Sequence, residues 1–350
     1  MSLSNYGTHS IPLRCYGTHN VPLRCYINER LHISSNTKTA KIVKPTSKKE
    51  LRSIIMDELS RQGPDADLNF IDTSDITDMF ELFVDLDIQN IKIDQWDVSN
   101  VTSMYKAFEY CIDFNCDLSS WDVSSVMHAN KMFKGCRKFT SDLSLWETAN
   151  LRDTTEMFMG CSEFKSDLSK WDMSKVRHTS GMFDGCWQFT SDLSSWNVSN
   201  VEEMDRMFKG CSRFNSDLSK WDVSSCKTTA QMFQGCKNFN SDLSSWNISK
   251  VTRTHNMFQS CEVFNSDLSK WKVKKVYDMS SMFYGCKSFD ADLSSWQVSR
   301  VKNMTYMFTW CDKFKSDLSS WDVSNVKKHS ETFSHCPNML DNPELQPKFK

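Results

Sequence analysis

MFKGCSRFNSDLSKWDVSSCKTTAQMFQGC, residues 207–236, opens and closes on nearly the same phrase, so that Met207, Phe208 and Cys211 recur 25 residues later as Met232, Phe233 and Cys236. Taken alone, Cys211, Asp217 and Ser219 could be cast as nucleophile, acid and helper. The surrounding sequence decides otherwise. Tryptophan returns every 25 residues from Trp96 to Trp321, and cysteine does the same from Cys111 to Cys336, without an insertion. A strict period of this length is the signature of a solenoid, whose units each contact only their neighbours.

Each unit reads L-x-x-W-x-V-x-x-V-x-x-(M/T)-x-x-M-F-x-x-C-x-x-F-x-S-D. In the first half, Trp221 and Val223 alternate onto one face, which predicts a short parallel strand. In the second half, Val201, Met204, Met207, Phe208 and Cys211 step by three and four, which predicts a short helix. Unit starts run from Leu68 to Leu318 in 25-residue steps, about eleven coils, with Ile71 replacing tryptophan in the first. Roughly nine apolar residues per coil cannot be buried within one coil, so coils must stack and the ends need caps. SKKELRSIIMDELSRQ, residues 47–62, offers a capping box from Ser47 to Glu50 and an apolar stripe of Leu51, Ile54, Ile55 and Leu59. The expected order is a leader at 1–45, disordered or a short extended motif, and a capping helix within 46–67. The solenoid follows at 68–336, and a C-terminal cap and tail at 337–350. The leader carries two near-identical decapeptides, YGTHSIPLRC and YGTHNVPLRC, ending at Cys15 and Cys25.

A net charge of −2 gives no overall attraction to nucleic acid or anionic membrane. No apolar run is long enough to span a bilayer, and the first residues lack the apolar core of a secretory signal.

The strings SDLSSWNVSNV (191–201), SDLSKWDVSS (216–225) and MFKGCSRFNSDLS (207–219) resemble the BspA-type leucine-rich-repeat surface proteins, whose 25-residue unit also occurs in mycoplasma surface lipoproteins. The resemblance covers about 68–336, and the lead-in KELRSIIMDEL with FIDTSDITDMFELF is similar as well. It implies a right-handed, leucine-rich-repeat-like α/β solenoid without enzymatic activity or cofactor. It also implies adhesin-like or host-interacting roles at a cell surface, with host or matrix proteins as partners. Neither an export signal nor a lipid-anchor cysteine is recognisable, which keeps open an intracellular scaffold or effector with the same fold. Oligomeric state is not specified by any feature of the sequence.

Several columns compete for function. One cysteine per coil, as in Cys136, Cys211 and Cys286, stacks at about 4.8 Å, a spacing that suits buried free thiols over vertical disulfides or metal. Asp142, Asp217 and Asp292, each before the strand leucine, are expected to hold the turn by accepting backbone N–H bonds, with calcium between coils as the alternative. Trp121, Trp171 and Trp221 belong to the core. Histidines do not recur beside cysteine or serine, so no nucleophile and base pair is specified. Binding then falls to exposed positions and to departures from the repeat. These are Lys220 and Asp222 flanking the tryptophan column, the basic spot Lys270, Lys272, Lys274 and Lys275, and two tryptophans beside the cysteine column, Trp187 and Trp310.

Overall fold

The computed structural model describes residues 42–350. The decapeptides, Cys15 and Cys25 lie outside the described residues. Val43, inside the expected leader, forms a parallel bridge with Ile71. Helix α1, Lys48–Gln62, follows at once. Ser47 Oγ accepts the Glu50 N–H at 3.3 Å, while the Glu50 carboxylate reaches back to the Thr46 N–H at 2.9 Å. Leu51 and Ile55 are buried against the first coil.

The coils themselves differ from the α/β expectation. Among the described residues they contain neither a helix nor a strand longer than an isolated bridge. Each is a succession of tight turns. In one coil Lys209 N–H bonds to Arg206 O at 3.1 Å, Cys211 N–H to Phe208 O at 2.9 Å and Trp221 N–H to Leu218 O at 3.1 Å, all spanning three residues. The M-F-x-x-C spacing imitates a helix, but Arg206 has φ 57° and Gly210 φ 75°. Left-handed residues at that interval stop a right-handed helix from propagating. The parallel rung, Glu203 to Thr228 and its equivalents from Asp78 to Lys328, falls in this half of the unit, not on the Leu–Trp–Val segment.

What the turns gain is a backbone ladder between coils. Met204, Arg206, Phe208 and Gly210 donate their N–H groups to Thr228, Ala230, Met232 and Gln234 of the next coil at 3.2, 2.9, 2.9 and 2.7 Å. The carbonyls of Glu203, Asp205, Met207 and Lys209 accept in turn from the preceding coil. The pattern recurs in every coil from Met104 to Met304. The amides of these four rungs therefore point toward the C-terminal end and their carbonyls toward the N-terminal end, while one further bond per coil, such as Lys227 N–H to Glu202 O at 2.8 Å, runs the other way.

Inside, the side chains form columns. Phe208 lies 4.1 Å from Phe214 of its own coil and 5.7 Å from Phe233 of the next, centroid to centroid. Buried aromatic rings of this size each contribute about 1.5–3 kcal/mol of transfer free energy. Trp121, Trp171 and Trp221 are buried, and the indole N–H of Trp221 donates to Leu193 O at 2.9 Å. Cys136, Cys211 and Cys286 are free and buried, each thiol donating to the carbonyl of a phenylalanine in the preceding coil at 3.0–3.1 Å. Burial pushes the Cys111 and Cys226 thiols up to about 12, and the enclosed Cys211 well above its ordinary value.

The aspartate column sits at the corner before the leucine. Asp142, Asp217 and Asp292 accept the N–H of Ser144, Ser219 and Ser294 at 3.0, 2.9 and 2.9 Å. A serine from the following coil completes the corner. Ser166 Oγ accepts the Leu143 N–H at 2.8 Å and donates to Asp142 at 3.2 Å. At the far end, α2 (Pro337–Asp341) and a 3-10 turn (Pro343–Leu345) fold back, and Leu345 O takes the Leu318 N–H at 2.8 Å in place of a serine.

Two predictions follow from the corner. Ala291 occupies the serine position, so the Leu268 N–H lacks the hydroxyl that its equivalents have. Ala291→Ser is expected to raise stability by about 1 kcal/mol, read from the urea midpoint, and a lowered midpoint contradicts the assignment. The Ser144, Ser219 and Ser294 donors hold the Asp142, Asp217 and Asp292 carboxyls below their ordinary range. A depressed folded pKa gives stability that is present above the unfolded value of about 3.9 and lost as pH falls through the folded one. The melting midpoint should therefore hold between about pH 7 and 5 and drop below about pH 4. Asp217→Asn, which keeps the acceptor oxygen, should soften the drop; an unchanged acid limb would argue against the corner carboxylate.

Candidate functional site

Lys270, Lys272, Lys274 and Lys275 are all exposed, at the corner beside the buried Trp271. None of the four ammonium groups has an ion-pair partner among the described residues, whereas Lys287 meets Glu262 at 2.9 Å and Lys138 meets Glu163 at 3.3 Å. Lys272 also displaces a turn anchor. In most other coils, Glu147 and Gln297 excepted, that position is Asp or Asn, and its side chain accepts the N–H two residues on, as Asp172 does from Ser174 at 2.8 Å and Asp222 from Ser224 at 2.9 Å. A lysine accepts nothing, so this coil has lost a local bond and acquired a cation. The same corner column carries exposed Lys250 and Arg300 on the coils before and after Lys275. These two extend the basic spot across three coils; sequence reading along one coil missed them, and reading down the 25-residue column would have found them. Shallow grooves run beside it, one lined by Trp246, Asn247, Lys270 and Lys272, the next by Lys270, Lys272, Lys274 and Gln297.

Lys220 and Asp222 are exposed, but Asp222 is committed to its own turn through the bond to Ser224. That bond, from the Ser224 hydroxyl and then its amide, holds the Asp222 carboxyl below its ordinary range. Trp187 stands 62% exposed, and Trp310 45% exposed. The structure does not bring them together with the lysines: Trp187 lies at the corner after Cys186, three coils before Cys261. Trp310 occupies a column held mostly by glycine, with φ 62°, and stacks on His335 at 3.8 Å.

A second charged feature escaped the sequence reading. Along the ladder face Glu81, Lys106, Lys131, Glu156 and Arg206 fall in one column, and their charges interlock across coils. Lys106 meets Glu81 at 3.1 Å and Glu109 at 3.4 Å; Lys134 meets Glu156 at 2.8 Å. Arg206 reaches Glu156 at 3.1 Å over an intervening coil, where the residue is Gly181. A Cβ there would stand 3.2 Å from Glu156 Cγ, and the φ of 64° suits glycine. Beside it, burial raises the Asp184 carboxyl, whose Oδ2 finds no hydrogen bond, with Arg206 and Lys209 at 3.9 Å. These charges neutralise one another locally, unlike the basic corner. The signal was the recurrence of charges of both signs at 25-residue intervals.

Among the described residues no three His, Cys, Asp or Glu side chains converge as metal ligands, and no helix is long and apolar enough to cross a membrane.

No curated protein sequence matches the chain. Among solved structures it is similar to a plant peptide hormone receptor, RGFR1, in complex with RGF2, at 11% identity and a TM-score of 0.25 over 70% of this chain and 46% of that one. The TLR13–ssRNA13 complex is similar at 13% identity and 0.25, over 81% and 51%. A leucine-rich-repeat protein of Leptospira interrogans reaches 8% identity and 0.21, over 79% and 90%. The chain thus spans about half the length of the two receptor chains. Likeness at this level says nothing about what the chain binds. The family described as "Mycoplasma protein of unknown function, DUF285" matches at residues 55–170, 153–269 and 242–345. These three overlapping matches take in every turn of the solenoid from α1 to the C-terminal cap, and the chain belongs to that family.

Proposed function

We propose that the protein is a non-enzymatic binding solenoid that engages an acidic surface of another protein through its basic corner. The observation that carries this reading is the set Lys270, Lys272, Lys274 and Lys275, exposed and without ion-pair partners among the described residues, with Lys272 standing where most other coils keep a turn anchor. Repeated positions go to architecture, so selectivity resides in departures from the repeat. Lys250 and Arg300 widen the patch, and Trp187 is a separate aromatic anchor. The BspA-type resemblance supports an adhesin-like or host-interacting role at a cell surface, with host or matrix proteins as partners. The same patch would serve a second reading, an intracellular scaffold or effector with the same fold. Protease shaving of intact cells separates them: cleavage together with known surface proteins supports the first, and survival of the chain while those are cut supports the second.

The patch is tested by returning it to the residues of other coils, with Lys270→Ser, Lys272→Asp, Lys274→Ser and Lys275→Asn combined. The restored turn anchor should leave stability unchanged or raise it by up to about 1 kcal/mol. Affinity for a matrix or host protein that the parent binds should fall at least about tenfold, and the parent's affinity should weaken with salt. Equal binding by parent and variant would discard the basic corner. For Trp187→Ser, the expectation is a stability change within about 0.5 kcal/mol, since the indole is mostly exposed.

A further inference from the structure

The inter-coil ladder has two ends, and the chain treats them differently. In β-sheets strand dipoles largely cancel. Here four recurring rungs per coil point one way and one points the other, so the rungs leave a net dipole along the solenoid, with its negative pole at the first coil and its positive pole at the last. At the first coil the outward carbonyls belong to Asp78, Phe80, Leu82 and Val84. Cations from α1 cover the last three: Lys48 Nζ donates to Phe80 O at 2.9 Å, and the Arg52 guanidinium donates to Leu82 O, to Val84 O at 2.7 Å and to the neighbouring Glu81 O at 3.0 Å. Two positive charges thus cover three of the four carbonyls at the negative pole.

The last coil receives its bonds normally, from Met304, Tyr306, Phe308 and Trp310 to the carbonyls of Lys328, Ser330, Thr332 and Ser334. The four outward amides that would continue the ladder are those of His329, Glu331, Phe333 and His335. None of them has an acceptor among the described residues: backbone bonds end at the preceding coil, and no carboxylate or hydroxyl accepts from them. Beside them the oppositely directed rung leaves one outward carbonyl, that of Lys327. The C-terminal segment covers another part of this coil through Leu345 O on Leu318 and reaches the edge at His329, on whose ring Phe349 stacks at 4.3 Å. Glu331 and His335 are exposed and hold left-handed φ values of 56° and 54°. Left-handed residues such as these turn neighbouring amides toward one side, as in anion-binding backbone concavities.

We propose that this C-terminal edge is a binding site for carboxylate groups, presented by an extended acidic segment of a partner protein. Four co-aligned donors at alternate residues match a row of acceptors, and the positive pole selects negative ones. A second copy of this chain cannot continue the stack, because three of its four first-coil carbonyls are already covered by Lys48 and Arg52. The Trp310–His335 stack forms one rim of the edge. The site is separate from the basic corner and does not depend on it.

The test is amide NMR on the full chain, labelled with nitrogen-15, titrated with hexa-aspartate, hexa-asparagine or inorganic phosphate. Hexa-aspartate should move the His329, Glu331, Phe333 and His335 amides downfield and saturably, and hexa-asparagine should not. The response should persist when the four lysines of the basic corner are replaced, which separates this site from that one. His335→Glu supplies an internal carboxylate at the edge and should weaken hexa-aspartate binding about tenfold, whereas His335→Gln should bind as the parent does. Four unmoved amides, or equal binding by His335→Glu with an unchanged circular dichroism spectrum, would overturn the site. Saturation by phosphate without a response to hexa-aspartate would overturn the protein segment as its occupant.

Discussion

The structure rests on a backbone hydrogen bond made between coils: Phe208 N–H to Met232 O and its repeats above and below. Because four of the five recurring inter-coil donors of a coil face its successor, a coil cannot satisfy these amides itself, and their desolvation is tolerable only with the next coil in place. That requirement dictates the local geometry. The chain must reverse its peptide orientation at every second residue, which a right-handed helix cannot do, so left-handed residues such as Arg206 and Gly210 enter each unit. Gly135, Gly160, Gly185 and Gly210 stack in one such column, with a Cβ on each of the last three standing about 3.6 Å from the glycine before it. The aromatic columns then fill the interior opposite the ladder, and their stacking at 5.7 Å adds apolar burial to the same coil-to-coil contact.

Much of this was legible in the sequence, and the rest was hidden for physical reasons. The period and the core columns of Trp221, Cys211 and Phe208 are side-chain facts, and side chains are what a sequence states. The ladder is a backbone fact. Its only trace is the glycine column, and even that is interrupted by Tyr110, Ser260, Trp310 and His335, all at positive φ. The three- and four-residue spacing of Met204, Met207, Phe208 and Cys211 suits a helix and a run of tight turns equally well, since both bring such positions to one side. The expected helix was therefore the wrong solution to a correct pattern. The strand on Leu218, Trp221 and Val223 failed similarly: alternation placed Trp221 and Val223 inside, but turns, not extended backbone, deliver them there.

Function was less legible because it lies in what does not repeat. Lys270, Lys272, Lys274 and Lys275 were visible as a run within one coil; Lys250 and Arg300 join them only when coils are stacked in register. The Glu156–Arg206 pair, 50 residues apart in sequence, depends on Gly181 leaving space between them. The polarity of the ladder could not be read at all without the hydrogen bonds, and it alone explains why Lys48 and Arg52 of the capping helix turn toward carbonyls instead of solvent. The cysteines and aspartates that first suggest chemistry belong to the scaffold's interior and corners.

The inter-coil ladder is tested most directly by through-hydrogen-bond couplings between amide nitrogens and carbonyl carbons in the deuterated chain. The structure requires correlations from Met204, Arg206, Phe208 and Gly210 to Thr228, Ala230, Met232 and Gln234, and from the same positions of each coil to the next. Correlations from these amides to residues four earlier in their own coil, or an alternation of partners between the preceding and following coils, would contradict it.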